Sequence, residues 1–78
     1  MKTEVRRIDK ERLKREFPIT GNASGWYFRR MEISNLVWMV EGTDGWGRKV
    51  SRTGDDPDKL LAECEMAAED INRQIEHV

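Results

Sequence analysis

The sequence predicts an α+β fold in the order α-β-β-β-α: a short N-terminal helix, a three-stranded antiparallel meander, and a long C-terminal helix packed on one sheet face. Three observations carry this. Between Trp26 and Thr53 apolar and polar residues alternate with the period of a strand, and the pattern is cut at Ser34-Asn35 and Asp44-Gly45. Beyond Asp56-Pro57 the period changes, with Leu60, Leu61, Cys64, Ala67, Ala68, Ile71 and Ile75 recurring at helical spacing. Ahead of Phe17-Pro18 lies a short charged run that Asp9 is placed to cap. The 78 residues are read as one domain, with 1–17 an N-terminal extension and helix, 26–53 the meander and 56–77 the C-terminal helix.

The first helix is expected over 9–16. Asp9 is its N-cap, Ile8 packs back onto it, and Glu11 followed by Arg15 is the favourable order for a helical ion pair. Phe17-Pro18 ends it, because the residue before proline avoids helical angles. Its apolar positions, Val5, Ile8, Leu13 and Phe17, give only a narrow stripe, and Val5–Ile8 can equally be extended. The basic residues of this region alternate with Glu4, Asp9, Glu11 and Glu16, the pattern of a solvated helix face. Residues 18–25, PITGNASG, read as a loop; they lack the Lys-Ser/Thr ending of a phosphate cradle.

The strands are expected at 26–33, 36–42 and 46–53, joined by two-residue turns. Such turns set Met31 against Trp38, Arg29 against Val40, Glu41 against Arg48 and Met39 against Val50. One face then carries Tyr27, Met31, Ile33, Leu36, Trp38 and Val40 and is the expected seat of the C-terminal helix. The other carries Trp26, Phe28, Arg30, Val37, Met39, Trp46, Arg48, Val50 and Arg52. It is too apolar for plain exposure and too basic for a dry core. In the C-terminal helix, Asp56 is the N-cap and Pro57 the first helical residue, while Asp55, Asp56 and Asp58 suit the positive end of its dipole.

A chain this short leaves about a third of its extended-chain surface exposed, so its core is small. A single cysteine excludes an internal disulfide framework and fits a reducing compartment. No apolar run approaches the roughly 20 residues needed to cross a bilayer. The first residues have no apolar segment of the secretory kind, so a cytoplasmic protein is expected. The formal net charge of −1 hides an asymmetry: residues 1–54 hold twelve Lys/Arg against seven Asp/Glu, and residues 55–78 two against eight. Either the chain balances itself internally, or an acidic helix backs a basic contact surface.

Catalytic groups do not assemble from this sequence. His77 is the lone histidine and has no partner acid or nucleophile near it. Cys64 falls on the buried helix stripe, as an inert core thiol would. Asp55, Asp56 and Asp58 lack the spaced oxygens and closing Glu of a calcium loop, and capping already accounts for them. Glu65 and Glu69 have no imidazole to work with. No enzyme, cofactor or metal is expected.

The candidate binding residues are therefore Trp26, Phe28, Arg30, Trp46, Arg48 and Arg52, aromatics that can stack beside arginines that can grip phosphate or carboxylate. Three uses stand open: the first helix covers them with Leu13 and Phe17; a homodimer or a protein partner forms through them; or they take nucleic acid or a small ligand. The expectation is a non-catalytic interaction protein, with DNA binding second and a small-molecule site third.

The segment DGWGRKVSRTGDDPDKLLAECEMAAEDI, with Trp38, Gly47-Arg48-Lys49 and the helix from Asp56, resembles two known patterns. One is the three-stranded DNA-binding module of plant ethylene-response factors and of the arm-binding domain of phage integrases. That resemblance implies DNA contact through the sheet by Arg30, Arg48, Lys49 and Arg52. The other is the partial RNase-H-like fold of HicB-type antitoxins, to whose helix entry Gly54-Asp55-Asp56-Pro57 is similar. The Pro-Asp-Leu-Pro-Gly signature of that family is missing here, and the acidic helix and N-terminal extension depart from the first pattern. Each likeness spans about half the chain.

Overall fold

The computed structural model describes residues 9–76. The elements are α1 (Lys10–Glu16), β1 (Trp26–Ser34), β2 (Val37–Asp44), β3 (Lys49–Gly54) and α2 (Pro57–Glu76). The strands make one antiparallel sheet in the order β1-β2-β3, with α2 across one face, so the fold is the α+β arrangement expected. The basic and acidic residues before Asp9, the packing of Val5 and Ile8, and His77 lie outside the described residues.

The ends of the helices follow from local chemistry. Asp56 Oδ1 accepts the N–H groups of Asp58 and Lys59 at 3.1 and 3.3 Å, and Pro57 opens α2. Asp9 Oδ1 accepts from Glu11 N–H at 3.2 Å and caps α1. The ion pair that α1 forms is Arg12–Glu16 rather than Glu11–Arg15. The buried positions of α2 are Leu60, Cys64 and Ala68, with Leu61, Ala67 and Ile71 packed beside them. The small side chains at 64 and 68 let the helix approach closely, and Cys64 Sγ reaches the Val40 carbonyl at 3.5 Å.

The strand register corrects the sequence reading. Met31 stands opposite Met39 and Arg29 opposite Glu41, one residue away from the expected pairing. The turn falls on Asn35-Leu36 instead of Ser34-Asn35, and Ile33 sits in a bulge between Glu32 and Ser34. The second hairpin is not the two-residue Asp44-Gly45 turn either. Asp44 N–H bonds the Arg48 carbonyl, and Gly47, at φ +87°, takes the left-handed position of a three-residue loop. Strand β3 therefore starts at Lys49; Glu41 faces Ser51 and Met39 faces Thr53, so neither expected pair, Glu41/Arg48 or Met39/Val50, forms.

A one-residue slip moves a whole strand to the opposite face. Here it brings Val40 and Trp38 onto the face of Trp26, Phe28 and Val50, and α2 lies on this face rather than on that of Tyr27 and Met31. The physical reason is burial. The observed register gathers the largest apolar side chains on one side, where each contributes about 1.5–3 kcal/mol when fully covered. Gly42 lies between Phe28 and Val50 and leaves room for the Phe28 ring.

The segment 18–25 is fastened at several points. Ile19 exchanges two main-chain hydrogen bonds with Phe28 on the outer edge of β1, at 2.8 and 2.9 Å. Ala23 is buried, Asn22 N–H donates to Glu65 Oε1, and Asn72 Nδ2 donates to the Ser24 carbonyl. Helix α1 packs on the opposite sheet face through buried Leu13, and the Arg29 guanidinium lies 4.5 Å from the centre of the Phe17 ring.

Candidate functional site

The six candidate residues separate into three groups. Trp26 and Phe28, at 2% and 0% exposure, are core residues beneath α2. Trp26 Nε1–H donates to Asn72 Oδ1 at 3.0 Å, so its one polar atom is satisfied inside the fold. The expectation of an open aromatic face at these two positions is thus corrected. Leu13 and Phe17 are not what covers them; the acidic helix is.

Arg30 and Arg52 lie on the rim of the same face, against α2. The Arg30 guanidinium bonds Asp58 Oδ1 at 3.2 Å. Arg52 donates to the Ser51 carbonyl at 2.7 Å and shares a groove with Glu63. The charge asymmetry of the sequence is in this part an internal pairing of sheet cations with helix acids. Lys49, the fourth cation singled out by the DNA-binding resemblance, lies toward α1 beside Arg12 and Phe17. The four basic residues do not share one surface.

Trp46 and Arg48 remain at the β2–β3 hairpin. Trp46 is 49% exposed. Its N–H and that of Arg48 both donate to Asp44 Oδ1 at 2.9 Å, and the Arg48 guanidinium reaches Asp44 Oδ2 at 2.7 Å. Together with Trp26, Asp44, Asn72 and Ile75 they line a cleft of about 190 Å³. The carboxylate of Asp44 and the amide of Asn72 are turned to internal partners there.

A second surface was not read from the sequence. By alternation from the Met31–Met39 pair, Met31, Val37 and Met39 belong to the sheet face away from α2, while Ile33 in the bulge and Leu36 in the turn flank them at the hairpin end. Ile33, Leu36 and Val37 are exposed, Leu36 to 71%. Leu36 also has φ +62°, a left-handed backbone that costs a branched apolar residue about 1–2 kcal/mol. The register slip hid this strip, because the expected pairing divided its residues between two faces. The signal available was the apolar run on both sides of the Ser34-Asn35 turn.

Burial pushes the Cys64 thiol above its ordinary value of 9.0; Arg52 draws it back down and Glu63 pushes it further up. The neutral thiol is what the fold favours, so this contribution to stability is intact below pH about 9 and is lost as the pH rises beyond it. The thiol is expected to react with an aromatic disulfide reagent at pH 8 at least a hundredfold more slowly in the folded chain than in urea. Equal rates would mean that α2 opens readily at this point.

Among the described residues no three His, Cys, Asp or Glu side chains are grouped as metal ligands, and no helix is long and apolar enough to cross a membrane. Comparison with protein-family models, with curated proteins and with solved structures finds no match to this chain.

Proposed function

We propose that this chain is a small non-catalytic interaction protein that presents the β1–β2 hairpin to another polypeptide. The supporting observation is the apolar strip of Met31, Ile33, Leu36, Val37 and Met39, uncovered at its tip and held there by a strained backbone at Leu36. Exposed apolar side chains that cluster mark contact sites, and methionines adapt to varied partners. Backbone strain at an exposed tip is kept where the conformation serves contact rather than stability.

DNA binding is the weaker reading, because Arg30, Arg48, Lys49 and Arg52 point to different surroundings and two of them are in ion pairs. A small-molecule role has the cleft beside Trp46 in its favour.

Three variants test the proposal. Leu36→Gly relieves the left-handed strain and is expected to raise stability by about 0.5–1 kcal/mol while weakening partner capture. Met31→Lys/Val37→Lys is expected to abolish capture of the polypeptides that the immobilised wild-type chain retains, with its circular dichroism unchanged. Trp46→Ala is expected to leave capture intact. Capture lost with Trp46→Ala but kept in the double lysine variant would move the site to the cleft. A mobility shift of DNA that falls steeply with salt would favour the nucleic-acid reading instead.

A further inference from the structure

The two edges of the sheet are treated differently. On β1, the outward main-chain groups of Phe28 are both bonded to Ile19. On β3, the Asp44–Arg48 bond fixes the phase: residues 50, 52 and 54 turn their main-chain groups to β2, and Lys49, Ser51 and Thr53 turn theirs outward. Among the described residues the N–H groups of these three have no acceptor, and the Ser51 carbonyl accepts only the Arg52 guanidinium. A six-residue edge without proline is a template for another strand.

Beside this edge runs a groove of about 510 Å³ between β3 and α2. Met66, 70% exposed, and Ala67 lie along it, flanked by Glu63 and Asp70 and by Arg52 and Arg73. A surface that meets its own copy across a two-fold axis must complement itself. An apolar centre with both charge signs in equal number does so, whereas a surface of one sign repels its copy.

We infer that the outer edge of β3 and this groove bind a second copy of the chain, with the two β3 strands antiparallel about an axis through Ser51. This register sets Lys49 opposite Thr53 and Val50 opposite Arg52, and it forms about six main-chain hydrogen bonds. Moving the axis one residue either way sets Arg52 against Arg52, or Arg48 against Arg52. The product is a six-stranded sheet with the two α2 helices on one side. The inference extends the interaction reading but uses the α2 side and the β3 edge, not the hairpin strip.

Cysteine cross-linking tests both the partner and the register. The axis places the two Ser51 Cα atoms about 5.5 Å apart, within disulfide reach. Two Thr53 Cα atoms would be roughly 13 Å apart. Under mild oxidation Ser51→Cys is expected to give at least tenfold more covalent dimer than Thr53→Cys, with the native thiol buried and silent. The wild-type mass by sedimentation is expected to double as concentration rises. Ser51→Pro, which removes only an outward N–H, is expected to stay at one chain with unchanged circular dichroism. A wild-type mass of one chain up to millimolar concentration, or equal cross-linking at 51 and 53, overturns the inference. The Met31→Lys/Val37→Lys variant should keep the doubled mass, so a failure of the hairpin reading and a failure of the dimer are distinguishable.

Discussion

Gly42→Ala is expected to lower the free energy of unfolding by about 2–3 kcal/mol, and to lower the thermal midpoint by about 10–20 °C in a domain of this size. A Cβ at this position would stand 2.5 Å from two ring carbons of Phe28 and 3.1 Å from Val50 Cγ2. Real Cβ contacts do not come so close, so something must move. Phe28 has no room to do so: it is fully buried beneath α2, and Ile19 holds its main chain on the outer edge. The strain therefore spreads to the sheet–helix contact on which the small core depends. Urea unfolding with the slope held common is the measurement. Phe28→Leu should itself be destabilising, yet in the Gly42→Ala background it should cost less by on the order of 1 kcal/mol, because the smaller side chain vacates the space the methyl needs. Strict additivity of the two substitutions would mean that the ring does not lie over Gly42.

The same contact marks where sequence reasoning stops. Helix α2 was legible almost to the residue because its determinants are local: Asp56 caps it, Pro57 starts it, and its apolar spacing is continuous. The fold class followed from the alternation and the order of the elements. The register did not, because it depends on which residue of each hairpin takes the left-handed position. Asp44-Gly45 advertises a tight turn, but the Asp44 side chain binds two N–H groups farther along and passes the left-handed position to Gly47. At the other hairpin that position falls to Leu36, for which composition gives no hint.

The candidate site divided along the same line. Trp26, Phe28 and Arg30 share a face by strand parity alone, and the sequence suffices for that. What covers the face is decided by the register of β2 and β3, since α2 settles where Val40 and Val50 join the aromatics. Asn72 was invisible for a related reason. It reads as an ordinary polar residue on a helix, and its role rests on Trp26 and Ser24, 46 and 48 positions away. The acidic helix and basic sheet were visible as a charge asymmetry; only the packing turned part of it into the Arg30–Asp58 pair.

Asp44→Ala is expected to cost about 3–4 kcal/mol, the largest loss from any single polar side chain among the described residues. Asp44 is 5% exposed, and its carboxylate accepts three hydrogen bonds, from Trp46 N–H, Arg48 N–H and the Arg48 guanidinium. Hydrogen bonds to a charged acceptor contribute about 1.5–3 kcal/mol each, and these three are lost together rather than additively. Arg48 is 43% exposed and regains water, which moderates the loss; the two N–H groups at the half-buried hairpin end are left without their acceptor. Asp44→Asn separates the terms. Its carbonyl oxygen can still accept both N–H groups, but its amide presents hydrogens to the guanidinium, so a cost of about 1–2 kcal/mol is expected. Trp46 reports the cause directly: its emission should change in the alanine variant before global unfolding, while Trp26, held by Asn72, remains as it was. A loss below 1 kcal/mol for alanine, with Trp46 undisturbed, would show that Gly47 alone sets the loop and that the carboxylate merely follows it.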